Sequence, residues 1–198
     1  MTLALMADLA QLLAEVLLEP DTDLGPDLEA ALAASDGASP ALQEPLARMV
    51  ASPLSGQDRP VEYARLFLHA LEGDPVHLFG SVQARGHHQS PDILGPLMAI
   101  HDEADLSLQD DLGVPPDHLG LELACLSAIL GQALDASDPA EEERLQALAL
   151  RLIREHLRPL TDAVARQVPS AAPAPYFQAA ADLVVALLDE LDRELAVI

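Results

Sequence analysis

The chain has 198 residues, of which 33 are acidic and 10 basic, and its formal net charge of −23 is spread along the whole length. Half of the residues are apolar, which favours a packed domain over disorder, and the negative charge disfavours nucleic-acid partners and anionic membranes. The chain has no lysine, no tryptophan and one cysteine, so Walker-type nucleotide binding, lysine nucleophiles, an intrachain disulfide and an iron–sulfur cage are excluded.

Targeting and membrane signals are weak in this sequence. No run of about 18 apolar residues occurs, so we expect no membrane insertion. The first twenty residues lack a basic start and contain Asp8 and Glu15, which is not typical of a signal peptide. Together with the single cysteine, these features favour a reducing compartment.

Helical periodicity begins at the amino terminus. An apolar stripe follows Thr2 and ends before Pro20, which predicts a first amphipathic helix. Leucines spaced by four over 24–32 predict a short second helix, and Ser39 followed by proline predicts the start of a third. The apolar positions of 61–71 predict a fourth.

A stretch without a sustained period, residues 72–89, interrupts this series. A segment of this length in a compact domain is usually functional or mobile. Ser90 followed by proline predicts the next helix, and Pro115-Pro116 is expected to open another that runs to Leu134. Asp138 before a proline predicts a further helix start, and the last helix is expected over about 176–195.

The pattern as a whole predicts an all-α protein. No segment alternates apolar and polar residues as a strand does, and no internal repeat is present. We therefore expect a single-domain helical bundle over residues 1–198, with about seven to nine helices.

The densest cluster of polar residues that could take part in binding or catalysis lies in 114–126. If Pro116 occupies the first turn of its helix, Asp117 lies at the positive end of the helix dipole, and His118 and Glu122 share a face at i and i+4. With Leu121 these residues could line one helical edge. The alternatives are an exposed His–Glu pair of purely structural value and a metal or acid–base site, although no His-Glu-x-x-His motif is present.

Two of the five aromatic residues fall in one short segment. Tyr63 and Phe67 are four residues apart and therefore share a helical face. They can serve as core residues or line a groove for an apolar peptide. Cys125 lies within an apolar stretch and is expected to be a small buried side chain.

Three blocks of the sequence resemble the TorD/DmsD/NarJ family of redox-enzyme maturation chaperones. VEYARLFL (61–68) is similar to the family's Glu-x-x-x-Leu-Phe helix, and PPDHLGLELACLSAIL (115–130) is similar to its Pro-Asp-His-x-x-x-Glu-Leu signature. REHLRPLTDAVARQV (154–168), with PYFQAAADLVVALLDEL (175–191), is similar to the His-Leu helix and the closing helix of the family.

The resemblance implies a cytoplasmic, non-enzymatic chaperone without a cofactor or metal of its own. Such a protein binds the twin-arginine signal peptide, or the amino terminus, of a molybdopterin oxidoreductase precursor during cofactor insertion and before export. A nitrate-reductase-type assembly chaperone, which serves a membrane-associated complex, is an alternative. A small all-helical metal-dependent enzyme that uses His118 and Glu122 is another.

We hypothesise a peptide-binding groove built from the residues above. Asp117, His118 and Glu122 would form its polar end, because carboxylates bind guanidinium groups through paired hydrogen bonds. Its apolar wall would be formed by Tyr63, Phe67 and Leu121. The resemblance also implies either a monomer or a domain-swapped homodimer, for which residues 72–89 are the possible hinge loop.

Overall fold

The computed structural model describes residues 2–54, 57–69, 74–107, 113–171 and 173–196. Over these residues the protein is all-α, as predicted. Its helices are α1 (Leu3–Leu18), α2 (Gly25–Ala34), α3 (Pro40–Ala51), α4 (Asp58–Tyr63), α5 (Gly80–Arg85), α6 (Pro91–Glu103), α7 (Leu119–Asp135), α8 (Pro139–Leu152), α9 (Arg158–Gln167) and α10 (Pro175–Leu195).

Two π-helical turns lengthen the helices that they follow. The turn Ala64–Leu68 continues α4, and the turn Ile153–Leu157 connects α8 to α9 without a break. Counted as continuous segments, the described residues form nine helices, which is the upper end of the predicted number. Within the described residues, no helix is long and apolar enough to cross a bilayer.

Local capping fixes several helix ends where the sequence predicts them. The Thr2 hydroxyl accepts a hydrogen bond from the Leu5 amide, and the Asp138 carboxylate accepts one from the Ala140 amide. Each satisfies an amide that has no partner inside its helix. The predicted starts of α1 and α8 are therefore confirmed, and the last helix begins one residue earlier than expected, at Pro175.

The centre of the bundle is the packing of α1 against α7, and α10 packs on α3 and α9. A methyl group on Gly120 would lie 2.7 Å from Cγ of Leu18, so glycine is what allows α7 to approach α1 this closely. The buried side chains are mostly leucine and alanine. This composition follows from a sequence with five aromatic residues.

The start of α7 differs from the prediction. The helix begins at Leu119, not at Pro115, because residues 117–119 pair with residues 78–80 in a short extended contact. The Gly80 amide donates to the carbonyl of Asp117 at 2.8 Å, and the Leu119 amide donates to the carbonyl of Leu78 at 2.8 Å. His118 is thus the N-cap of α7, and Asp117 precedes the helix.

The stretch 72–89 is more ordered than its lack of period predicts. Residues 74–78 have no regular secondary structure, Phe79 is extended and bridges to His118, and the six-residue helix α5 follows. Residues 72 and 73 of the proposed hinge lie outside the described residues. The contact with residues 117–119 places α5 beside the start of α7, where the candidate site lies.

Candidate functional site

Asp117 holds α5 against the start of α7. One of its carboxylate oxygens accepts a hydrogen bond from the Ser81 amide at 2.6 Å, and the other, Oδ1, is buried without a partner. The Ser81 hydroxyl in turn accepts a hydrogen bond from the Ser90 amide at 3.0 Å. The Asp117 carboxylate therefore positions the first turn of α5, and one of its two oxygens is already used for this hydrogen bond.

Glu122 is a buried acid with an unused oxygen. Its side chain is 1% exposed, and Oε2 has no hydrogen-bond partner. Burial, with the nearby charge of Asp117 as a smaller cause, raises the pKa of Glu122 to about 8. The same environment raises the pKa of the Cys125 thiol, one helical turn further on, to about 12.

His118 caps α7 as a neutral imidazole. Its Nδ1 accepts a hydrogen bond from the Gly120 amide at 3.1 Å, which assigns the proton of the neutral ring to Nε2. Burial lowers the pKa of His118 to about 4, although Asp117 opposes this shift. The ring also packs edge-on against Phe79, with centroids 5.1 Å apart. The exposed His–Glu pair considered above is therefore wrong, because both side chains are buried.

A cleft of about 230 Å³ lies over Glu122, between α5, α7, the π-helical turn before α9, and α9 itself. We call it the Glu122 cleft. Its floor contains buried His156 and Leu160, and its rim contains exposed Glu155 and Arg166. The lining consists of Gly80, Gln83, Ala84, Ile93, Glu122, Glu155, His156, Pro159, Leu160, Ala163 and Arg166.

Gly80 keeps the approach to Glu122 open. A methyl group at this position would lie 3.7 Å from Oε1 of Glu122 and 3.4 Å from Ile93. The missing side chain therefore leaves room above the carboxyl group. Of the six residues predicted for the site, Glu122 is the one that lines this cleft. Asp117 is close enough to raise the pKa of Glu122, and the carbonyl of His118 accepts a hydrogen bond from the Glu122 amide.

Tyr63 and Phe67 belong to a different environment, the aromatic cluster of the core. Their rings are 5.0 Å apart, and both pack against Phe177 of α10. The Tyr63 hydroxyl donates to the carbonyl of Leu17 at 2.9 Å. Phe67 also lines a small apolar cavity of about 20 Å³, which includes Thr161 of α9 in its wall.

Leu121 is buried on α7, with 7% of its surface exposed. It lines neither the Glu122 cleft nor the small apolar cavity. The structure therefore brings three of the six predicted residues together and places the other three elsewhere.

Sequence reasoning missed the opposite wall of the cleft. Gly80, Glu155, His156 and Leu160 are distant from residues 117–122 in the chain and meet them through the packing of α5 and α9. The sequence contains a signal for one part of this wall, the REHL segment noted above. Nothing local in it indicates that Glu155 and Glu122 share a cleft.

The geometry gives no support to the metal-enzyme alternative. In the part of the chain that the structure describes, no group of three histidine, cysteine or acidic side chains could hold a metal ion. Nδ1 of His118 is already occupied by the Gly120 amide. The arrangement is a buried acid beneath a cleft in an all-helical bundle.

Comparison with known proteins identifies the family of this chain. The family model described as "Nitrate reductase delta subunit" matches residues 29–166, which is more than half of the chain. The chain therefore belongs to this family of NarJ/TorD-type chaperones, which act in the maturation of molybdoenzymes. No individually curated protein and no solved structure gives a match. The match includes Tyr63 and Glu122 and ends before α10 begins.

Proposed function

We propose that this chain is a cytoplasmic chaperone that binds an arginine-bearing amino-terminal segment of a molybdopterin oxidoreductase precursor. The segment is a twin-arginine signal peptide, held during cofactor insertion and released before export, and the chaperone changes no covalent bond. One observation carries the proposal: the Glu122 carboxyl group is buried beneath a cleft, with an oxygen that has no partner.

An arginine side chain fits the chemistry of this cleft. The planar guanidinium presents several N–H donors, and a carboxylate can accept two of them at once. Glu155 at the rim offers a second carboxylate to the same cation or to its neighbour. The net charge of −23 speeds the encounter with a cationic peptide more than it adds affinity.

The remaining predicted residues have indirect roles in this proposal. Asp117 and His118 support the cleft from behind, because Asp117 fixes the turn that contains Gly80. For the apolar part of the peptide we still propose Tyr63, Phe67 and Leu121. Support for this part comes from α9, whose residues line both the Glu122 cleft and the cavity beside Phe67.

A second candidate is the nitrate-reductase branch of the same family. It is favoured by the family description, which is that of a nitrate reductase subunit. In that case the client is the catalytic subunit of a membrane-associated complex, and its bound amino terminus need not be a signal for export. The two candidates differ in the client and share the proposed cleft.

Calorimetry with synthetic peptides tests the proposal. A peptide with two adjacent arginines before an apolar segment should bind, and its Lys-Lys version should bind less tightly, because an ammonium group cannot form the paired contact. At pH 8.5, where Glu122 is mostly ionised, Glu122→Gln should weaken binding roughly 10- to 100-fold, the loss of one charge-assisted hydrogen bond. The charge-matched control is Glu29→Gln on the exposed side of α2. Equal affinity of wild type and Glu122→Gln would remove this residue from the site.

A further inference from the structure

Glu122 is buried in a way that disfavours its charged form. Its side chain is 1% exposed and Oε2 has no partner. None of the ion pairs in the described part of the chain includes it. Transfer of an unpaired carboxylate into such a site is costly, so the group holds its proton instead. The second acid, Asp117, lies close behind it and adds like-charge repulsion.

The other charged and titratable groups around the cleft do not neutralise Glu122. Arg166, which lines the cleft, is exposed and is not among the groups that shift the pKa of Glu122, and Arg85 of α5 is paired with Asp92 of α6. Burial lowers the pKa values of both His118 and His156, to about 4 for His118, and so favours the neutral form of each ring. Within the described residues, the charged and titratable groups that line the cleft with Glu122 are Glu155 and His156 before α9 and Arg166 on α9. Asp117 and Cys125 interact with Glu122 electrostatically, and His118 adjoins Asp117 as the N-cap of α7.

Resting on the proposed function, we propose that a cation entering the Glu122 cleft displaces a proton from the Glu122 carboxyl group. Without a cation above it, the carboxyl group is mostly protonated at neutral pH, and this neutral form costs less to bury than the carboxylate does. A guanidinium above it supplies the missing positive charge, which favours the carboxylate. The O–H bond of the carboxyl group breaks, and its proton passes to water and the buffer.

This coupling makes peptide binding depend on pH in a defined way. Burial raises the pKa of Glu122 to about 8, so at neutral pH the binding-competent carboxylate is the minor form. The apparent affinity is reduced by the fraction of that form, which gives about a tenfold gain per pH unit between 6.5 and 7.5 and a plateau above 8.5. Arginine itself does not titrate in this range.

The test is calorimetry of the full chain with the Arg-Arg peptide at pH 7.0 in phosphate and in Tris. These buffers differ in their enthalpy of ionisation, so the difference in heat counts the protons released. We expect close to one proton per peptide for wild type and for Glu29→Gln. Glu122→Gln should release none and bind with an affinity that does not vary between pH 6.5 and 8.5. Absence of proton release by wild type, or its persistence in Glu122→Gln, would overturn the proposal.

A second measurement separates this inference from the proposed function. If the peptide fails to bind, the proposed function is wrong for that ligand class, and the carboxyl ¹³C shift of Glu122 is then followed against pH with methylguanidinium chloride or potassium chloride added. A lower apparent pKa with methylguanidinium alone supports the coupling. Identical titrations in the two salts refute it. Tight peptide binding without proton release refutes the coupling and leaves the proposed function standing.

Discussion

The substitution Glu122→Gln should stabilise the protein, and should do so increasingly as the pH rises. The amide keeps the shape of the neutral carboxyl group and cannot ionise. Burial raises the pKa of Glu122 in the folded chain to about 8, against an ordinary value of 4.5. Between these two values the unfolded chain has released a proton that the folded chain retains.

The sign and size of the effect follow from this difference in bound protons. Because the folded state binds more protons, the free energy of unfolding falls with pH, by about 1.4 kcal/mol per unit for one group. This decrease in the free energy of unfolding begins near pH 4.5 and is complete near pH 8. At pH 7 Glu122→Gln should therefore raise the free energy of unfolding by about 3 kcal/mol.

Urea unfolding at pH 5.5, 6.5 and 7.5 measures this effect. Three buried histidines, His101, His118 and His156, have lowered pKa values and act in the opposite direction below pH 6.5, because there the unfolded chain binds the extra protons. These histidines are present in the wild type and in Glu122→Gln, so their contributions cancel in the difference between the two free energies of unfolding. The gain from Glu122→Gln should grow with pH, whereas Glu29→Gln should show no such trend. A gain that is absent or independent of pH would refute the reasoning.

Three further predictions concern stability and reactivity. Gly120→Ala should lower the free energy of unfolding by about 1–3 kcal/mol, since its methyl group meets Leu18 at 2.7 Å. Gly131→Ala on the same helix, with open space around it, should raise that free energy by about 0.5–1 kcal/mol. Urea unfolding compares the two glycine variants, and equal effects would contradict the close-packing argument. Asp117→Ala should cost about 1–3 kcal/mol in the same assay, because the buried Ser81 amide loses its acceptor; an unchanged midpoint would contradict this role. Iodoacetamide should label Cys125 in the native protein far more slowly than in urea, since burial raises the pKa of its thiol to about 12; equal rates would show that the thiol is accessible.

Much of the fold could be predicted because its signals are local. The N-caps Thr2 and Asp138 satisfy amides two or three residues away, so the sequence alone indicates where α1 and α8 begin. Apolar stripes with a helical period likewise indicate the all-α class. Such features depend on neighbouring residues and not on the tertiary structure.

The start of α7 could not be predicted in the same way. Pro115-Pro116 is a favourable opening for a helix, yet α7 begins at Leu119. The turn at Asp117 and the extended backbone of His118 are held by hydrogen bonds from Gly80 to Asp117 and from Leu119 to Leu78, which join positions almost forty residues apart. A long-range contact of this kind has no signature in the local pattern.

The candidate site shows the same limit. The spacing of His118 and Glu122 is equally typical of an exposed ion pair and of two buried groups. Burial is decided by α5 and α9, which cover this part of α7 and also create the cleft. The two aromatic residues Tyr63 and Phe67 share a face as predicted, and α10 makes that face part of the core.

The most direct test of the account is the position at which the arginine-bearing peptide contacts the chain. In ¹H–¹⁵N spectra of the labelled protein, addition of the Arg-Arg peptide should shift the amides of Gly80 and Glu122 and leave that of Gly131 unchanged. The open acidic groove between α2 and α3, which includes Leu32 and Glu44, offers a competing location. Shifts confined to that groove, with Gly80 and Glu122 unaffected, would contradict the claim that Glu122 receives the peptide.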